Sequence, residues 1–82
     1  MERVETVADM LRALARLIVD EPDEVVVETV MNGSGVLYRV RVSQRDHGKL
    51  IGRGGRTARS LRQILQAVSM TQKLKFNLDI AE

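Results

Sequence analysis

Cysteine is absent from all 82 residues. That excludes a disulfide framework, a thiolate metal site and a thiol nucleophile, and it fits a reducing compartment. Aromatic side chains are almost absent: Tyr38 and Phe76 are the whole complement, with no tryptophan. Proteins that stack single-stranded bases on exposed rings need more than this. Both rings alternate with polar neighbours along the chain, so both are expected in the core. The one histidine, His47, lacks the partners that a metal site or a catalytic base requires, and a surface or groove-edge position is expected. Ser43, Ser60 and Ser69 have no visible base. No catalytic constellation, metal set or cofactor motif emerges, so the expectation is a non-enzyme. No apolar run reaches the roughly 18–20 residues that span a bilayer. The first 21 residues carry acids throughout and lack the apolar block of a secretory signal. A cytoplasmic protein without a membrane segment is expected.

What is present is one small domain over residues 1–82, with 44% hydrophobic residues. A chain this short is marginally stable alone, and oligomerisation is one common remedy. The net charge of +2 hides a division. Residues 1–38 hold three arginines against eight acids, whereas residues 39–82 hold ten Lys or Arg against three acids. Between Arg39 and Arg62 there are eight basic residues and one acid, Asp46. Such a division suggests a face for polyanions. The acids Asp20, Glu21, Asp23 and Glu24 around Pro22 lack the spacing of a calcium loop and read as a solvated corner.

Hydrophobic spacing predicts a helix over 3–20, where Val4, Val7, Leu11, Leu14 and Ile18 recur every three or four residues. Pro22 stops it. EVVVETVM, 24–31, is rich in β-branched side chains and reads as a strand. Asn32-Gly33-Ser34-Gly35 signals a hairpin. VLYRVRVS, 36–43, alternates, with Val36, Tyr38, Val40 and Val42 on one face. Residues 44–51 allow one or two helical turns. A longer helix over 56–71 has Ala58, Leu61, Leu65 and Val68 on one face. KLKFNLDIA, 73–81, alternates again, with Leu74, Phe76, Leu78 and Ile80 inward. The order α-β-β-α-α-β implies an α+β fold, in which three helices cover one face of a three-stranded mixed sheet.

The segment HGKLIGRGGRTAR, 47–59, concentrates four glycines and four cations. Glycine lets the backbone turn with positive φ and lets a ligand approach main chain. The loop ends where the long helix begins, so free N–H groups and the positive dipole end face it, as a phosphate site requires. Arg53 and Arg56 add mobile charge, with Lys49 and Arg59 about one turn away on either side. Glycines and cations coincide because both suit a phosphate backbone held close to main chain. The alternative is a helix–helix turn whose glycines only relieve strain. GRGGRT lacks the spacing and ending of a P-loop, and no strand leads directly into it as in a dinucleotide fingerprint.

With I-G-R-G-G between its second and third helices, the chain resembles a type II KH domain. The run DHGKLIGRGGRTARSLRQIL resembles the KhpA family of small bacterial single-KH RNA-binding proteins, and the likeness extends over nearly the whole chain. The resemblance implies single-stranded RNA as ligand, clamped over four nucleotides by the loop. It implies that Ile51 packs inward as anchor and that Gly52, Arg53, Gly54 and Gly55 meet the sugar-phosphate backbone. Gly54 departs from the polar or basic residue usual in the second variable position, which removes one side-chain contact. The resemblance further implies RNA-chaperone activity, a KH-containing partner of the KhpB (Jag) type, and roles in cell-wall homeostasis and cell shape. The other reading is a KH-like protein-interaction module within a larger RNA or ribosome assembly.

The long helix carries one more feature. Ser60, Ala67 and Thr71 form a strip of small residues in line with Ile64, at the edge of the apolar face. Small residues let another helix approach. The expectation is a homodimer, or a heterodimer with a second KH protein, through Ser60, Ile64, Ala67 and Thr71. The alternative is that Ile64 completes the core.

Overall fold

The computed structural model describes residues 2–82. Helix α1 runs Glu2–Ile18, and a 3-10 turn over Pro22–Glu24 leads into strand β1, Val26–Asn32. Strand β2 is Gly35–Arg41, followed by a 3-10 turn at Gln44–Asp46 and the short helix α2, His47–Ile51. A tight non-helical turn over Arg53–Gly55 joins α2 to helix α3, Arg56–Ser69, and strand β3 is Lys75–Ile80. The expected order stands, and so does the sheet. Its strand order is β1-β2-β3, with β1 and β2 antiparallel and β2 and β3 parallel.

The ends of several elements shift for local reasons. The first helix ends at Ile18, ahead of Pro22, which opens its own 3-10 turn instead. That turn takes Glu24 out of β1. The second strand stops at Arg41 because the Ser43 hydroxyl accepts the N–H of Arg45 and starts a turn. Between β1 and β2 the hairpin closes on the pair Asn32 and Gly35, and within it only Gly33 has positive φ, +61°. A two-residue turn with positive φ at its first central position is type II′, which needs glycine there.

The helices cover one sheet face. Val36, Tyr38 and Val40 of β2 and Phe76, Leu78 and Ile80 of β3 are buried against Val4, Val7, Leu11 and Ala15 of α1 and Ala58, Leu61 and Leu65 of α3. The Tyr38 and Phe76 rings pack 5.9 Å apart, and the Tyr38 hydroxyl donates to the Val4 carbonyl at 2.8 Å. Both aromatics are thus core, as their alternation required. The first strand is less buried than its β-branched composition suggests: Val26, Val30 and Met31 are exposed. It lies at a sheet edge, where α1 covers it only in part.

Candidate nucleic-acid interface

Helix α2 has five residues, too few to hold a helix by local bonds alone. Its position comes from anchors. Leu50 is fully buried in the core and Ile51 packs half-buried against it, which agrees with the inward role expected of Ile51. Burying one leucine contributes about 2 kcal/mol. The chain then reverses at Gly52, with φ 81° and ψ 166°, a region essentially reserved for glycine. There the backbone lies so close to the next helix that a Cβ would come within 2.3 Å of the Thr57 Oγ1. Gly54 and Gly55 also have positive φ, 65° and 78°, but with open space where a Cβ would stand. Gly52 therefore packs the loop down onto α3, while Gly54 and Gly55 leave main chain open to an incoming ligand.

The α3 N-terminus follows at once. Its N-cap residue is Gly55, and no side chain caps it. The first-turn amides and the dipole end face the loop, and the first turn of α3 carries no acidic residue. Arg53, Arg56 and Arg59 are exposed and, among the described residues, make no ion pair within 4.0 Å. The Arg59 guanidinium makes a long contact, 3.4 Å, to the Gly54 carbonyl. Lys49 does not join them. Its ammonium donates to the Asp20 carboxylate and lies 3.9 Å from Asp46. The hydrogen bond to Asp20 is the main reason its pKa is raised. Arg39 and Arg41 are likewise paired, with Asp79 and Glu28 on the open sheet face. Within the basic stretch, Arg39 and Arg41 on the sheet and Lys49 on α2 are thus paired, whereas Arg53, Arg56 and Arg59 by the loop are in no ion pair among the described residues.

Sequence spacing does not reveal a groove that runs along α3. At 100° per residue, Arg59, Arg62 and Gln66 lie along one flank of α3, with Arg56 at its first position beside the loop. Below that flank runs β3, an edge strand. A cleft of about 110 Å³ is lined by Arg62, Leu65, Gln66, Phe76, Asn77 and Leu78. It shares Gln66, Phe76 and Asn77 with a wider one of about 620 Å³ that reaches Lys73 and Lys75. In β3 the N–H of Lys75 and that of Ala81 just beyond it bond β2-side carbonyls, while the N–H of Phe76 turns the other way to the Ser69 hydroxyl. By the alternation of a strand, Leu78 also directs its main-chain N–H and C=O to the free edge. Edge strands present unpaired donors and acceptors, here beside the groove. The alternation of KFNLDI was visible in the sequence, but only the sheet order makes that strand an edge.

The opposite flank of α3 carries Ser60, Ile64 and Ala67, all exposed, and Thr71 lies just past the helix, its hydroxyl donating to the Val68 carbonyl. Ile64 is 38% exposed, so it does not complete the core. His47 is half-buried, with its Nε2 enclosed and unpartnered among the described residues. Among those residues no group of three or more His, Cys, Asp or Glu is arranged to hold a metal ion. None of their helices is long and apolar enough to cross a membrane. In the sequence Asp46 is the single acid of the basic stretch and stands at the start of the short helical segment. It is 2% exposed, and its carboxylate accepts the N–H groups of Asp20 and Glu21 at 3.2 and 2.9 Å.

Comparison with known proteins gives the family. A family model described as the KH domain of KhpA and KhpB matches residues 8–80. An RNA-binding protein KhpA of Chlamydia caviae is 34% identical over 74 residues, 90% of this chain and 95% of that protein. The protein of the same name in Mycobacterium leprae is 44% identical over 62 residues, 76% of this chain and 78% of the other. Among solved structures, that of a point variant of Aquifex aeolicus Era bound to GDP and AlF4⁻ superposes with a TM-score of 0.61 at 15% identity. It covers 92% of this chain but only 29% of the Era chain, and at that identity the likeness speaks to the fold alone. The element order, the glycine loop and the extent of these matches together make the chain a member of the KhpA/KhpB KH-domain family.

Proposed function

We propose that this protein binds single-stranded RNA. Gly52 to Gly55 receive the sugar-phosphate backbone, Arg53, Arg56 and Arg59 neutralise it, and the bases enter the groove between α3 and β3. One observation carries the reading: positive-φ glycines open the main chain at a helix N-terminus without a side-chain cap, where Arg53, Arg56 and Arg59 have no counterion within 4.0 Å among the described residues. The RNA-binding name of the relatives agrees with the ligand class. Lys49 and Ile51 complete the expected set, Ile51 as the anchor beneath the loop and Lys49 as a cation that RNA must win from Asp20. With no exposed aromatic to stack bases, recognition rests on phosphates, base edges and aliphatic walls, so sequence preference is modest.

In this reading the molecule is a binding protein of the cytoplasm and not an enzyme. It acts as an RNA chaperone or post-transcriptional regulator, with a link to cell-wall homeostasis and cell shape. It works as a homodimer or beside a KhpB (Jag)-type KH protein, through Ser60, Ile64, Ala67 and Thr71. Dimerisation joins two short grips and raises avidity without new RNA contacts.

Replacing Arg53 and Gly54 together by aspartate tests the ligand. Both positions are exposed, and aspartate tolerates the left-handed backbone of Gly54 better than most residues, so circular dichroism should stay native. Filter binding to a single-stranded oligoribonucleotide should fall at least tenfold, because two carboxylates face phosphate. Wild-type affinity in the folded double variant would instead favour the protein-interaction module.

A further inference from the structure

An aspartate directly before a short helix is expected to cap that helix. Asp46 does not: no side-chain cap bond is made to α2. Its carboxylate reaches instead to the corner after α1. There a single oxygen, Oδ2, accepts the backbone N–H of both Asp20 and Glu21 across 26 and 25 positions of sequence. The other oxygen lies 3.9 Å from the Lys49 ammonium, which is itself bonded to Asp20. Asp46 is 2% exposed. A buried carboxylate is tolerated only where donors satisfy it, and these donors belong to one segment, the α1–β1 corner.

The consequence falls on the glycine loop. Its far end is fixed by α3, whose Leu61 and Leu65 are buried. Its near end is fixed by α2, which has two kinds of anchor: Leu50 with Ile51 at one end and Asp46 at the other. Leu50 and Ile51 set how deep α2 sits. A polar anchor at the opposite end sets how the helix is rotated and tilted about that apolar hinge. We infer that Asp46 is a positioning residue for RNA binding, tying α2 to the α1–β1 corner so that Gly52–Gly55 meet RNA in the competent geometry. The inference rests on the RNA-binding reading above. Asp46 touches no RNA itself, because its carboxylate is turned into the corner.

Three substitutions distinguish this role from bulk stability and from charge. Asp46→Ala removes both acceptors. Asp46→Asn keeps one carbonyl oxygen with two lone pairs, enough for both N–H groups, but removes the charge. Asp46→Glu keeps the charge and lengthens the reach. Each is titrated with a single-stranded oligoribonucleotide at a temperature where circular dichroism shows it fully folded, and amide hydrogen exchange is followed at Gly52, Gly54 and Gly55. If the competent loop population falls to about a tenth, Asp46→Ala weakens RNA binding about tenfold, with faster exchange at the loop glycines and little change in the β2 amides. Asp46→Asn recovers affinity to within about threefold of the native protein, and Asp46→Glu does so less well.

Native affinity and native loop exchange in folded Asp46→Ala would overturn the inference. So would tighter binding by Asp46→Asn than by the native chain, which would mark the carboxylate as a mere repulsive charge. If Asp46→Ala does not fold, Asp46→Asn and Asp46→Glu decide through the same two readouts. Equal affinity and equal exchange in both would then count against positioning. The paired aspartate variant at Arg53 and Gly54 serves as control. Should it bind RNA normally, the ligand reading fails, whatever Asp46 does to loop exchange.

Discussion

At Gly52 a methyl group has nowhere to go. A Cβ there would meet the Thr57 Oγ1 at 2.3 Å and its amide nitrogen at 2.7 Å, on a backbone with φ +81°. Gly52→Ala should therefore destabilise the fold by about 2–3 kcal/mol through backbone strain and the displaced Thr57. Gly54→Ala, with nothing within 4 Å, should cost only about 1–2 kcal/mol, the penalty of a left-handed residue. Urea unfolding of the two variants checks the order, and equal costs would remove the special role given to Gly52. Tyr38 sets a second expectation. Burial pushes its phenol from 10.0 up to about 12. The fold holds the neutral form, so this contribution is intact below pH 10 and is lost as pH climbs from 10 through 12. A rise of that size corresponds to about 3 kcal/mol. Tyr38→Phe should start about 1 kcal/mol less stable, because its bond to the Val4 carbonyl is gone. It should also lose less stability than the native protein between pH 10 and 12. Parallel alkaline profiles of the two proteins would contradict that.

Helix α3 has three working faces, each with a different neighbour. Ala58, Leu61 and Leu65 enter the core, Arg56, Arg59, Arg62 and Gln66 line the loop and groove, and Ser60, Ile64 and Ala67 face outward. Its apolar spacing and its arginines were legible in the chain. Which polar flank borders a groove was not, since that depends on the edge position of β3. The same holds for Lys49, grouped with the loop cations by spacing but held by Asp20 once α1 and α2 come together. A grip of about four nucleotides neutralises only a few phosphates. For single strands the log–log salt dependence of affinity is roughly −0.7 per phosphate, so a slope of about −2 to −3 is expected per domain. Titrations from about 50 to 200 mM salt measure it. A slope near zero, or a preference for duplex RNA, would count against the backbone grip.

Over the whole molecule the charge divides in space. Asp20 and Glu21 line the corner next to Asp46, with Arg45 beside them, and Arg53, Arg56 and Arg59 surround the loop and the start of α3. The outward strip of α3 lies on the flank opposite the groove, so a second copy can pack there while both grooves stay open. Ile64→Lys examines this. With Ile64 38% exposed, the change is expected to move stability by no more than about 0.5 kcal/mol. Analytical ultracentrifugation should then find a native dimer and a folded monomeric variant, with RNA affinity reduced by lost avidity. A variant that remains dimeric would move the interface off this strip, with α1 the next surface to test.

The chain by itself determined the α-β-β-α-α-β order, the hairpin at Gly33, the core faces and the glycine loop. All of these follow from local rules: periods of two and 3.6 residues, and the backbone freedom of glycine. Ends slipped where a local bond or an early proline outcompeted the regular element, as at Ser43 and Pro22. Only the tertiary structure decided what depends on contacts between distant segments. It made β3 an edge beside a groove, paired Lys49 with Asp20, left Ile64 exposed, and turned Asp46 from its own helix to a corner 25 residues away. Sequence spacing describes the surface of one element at a time. A site assembled from several elements is fixed only once packing has oriented them.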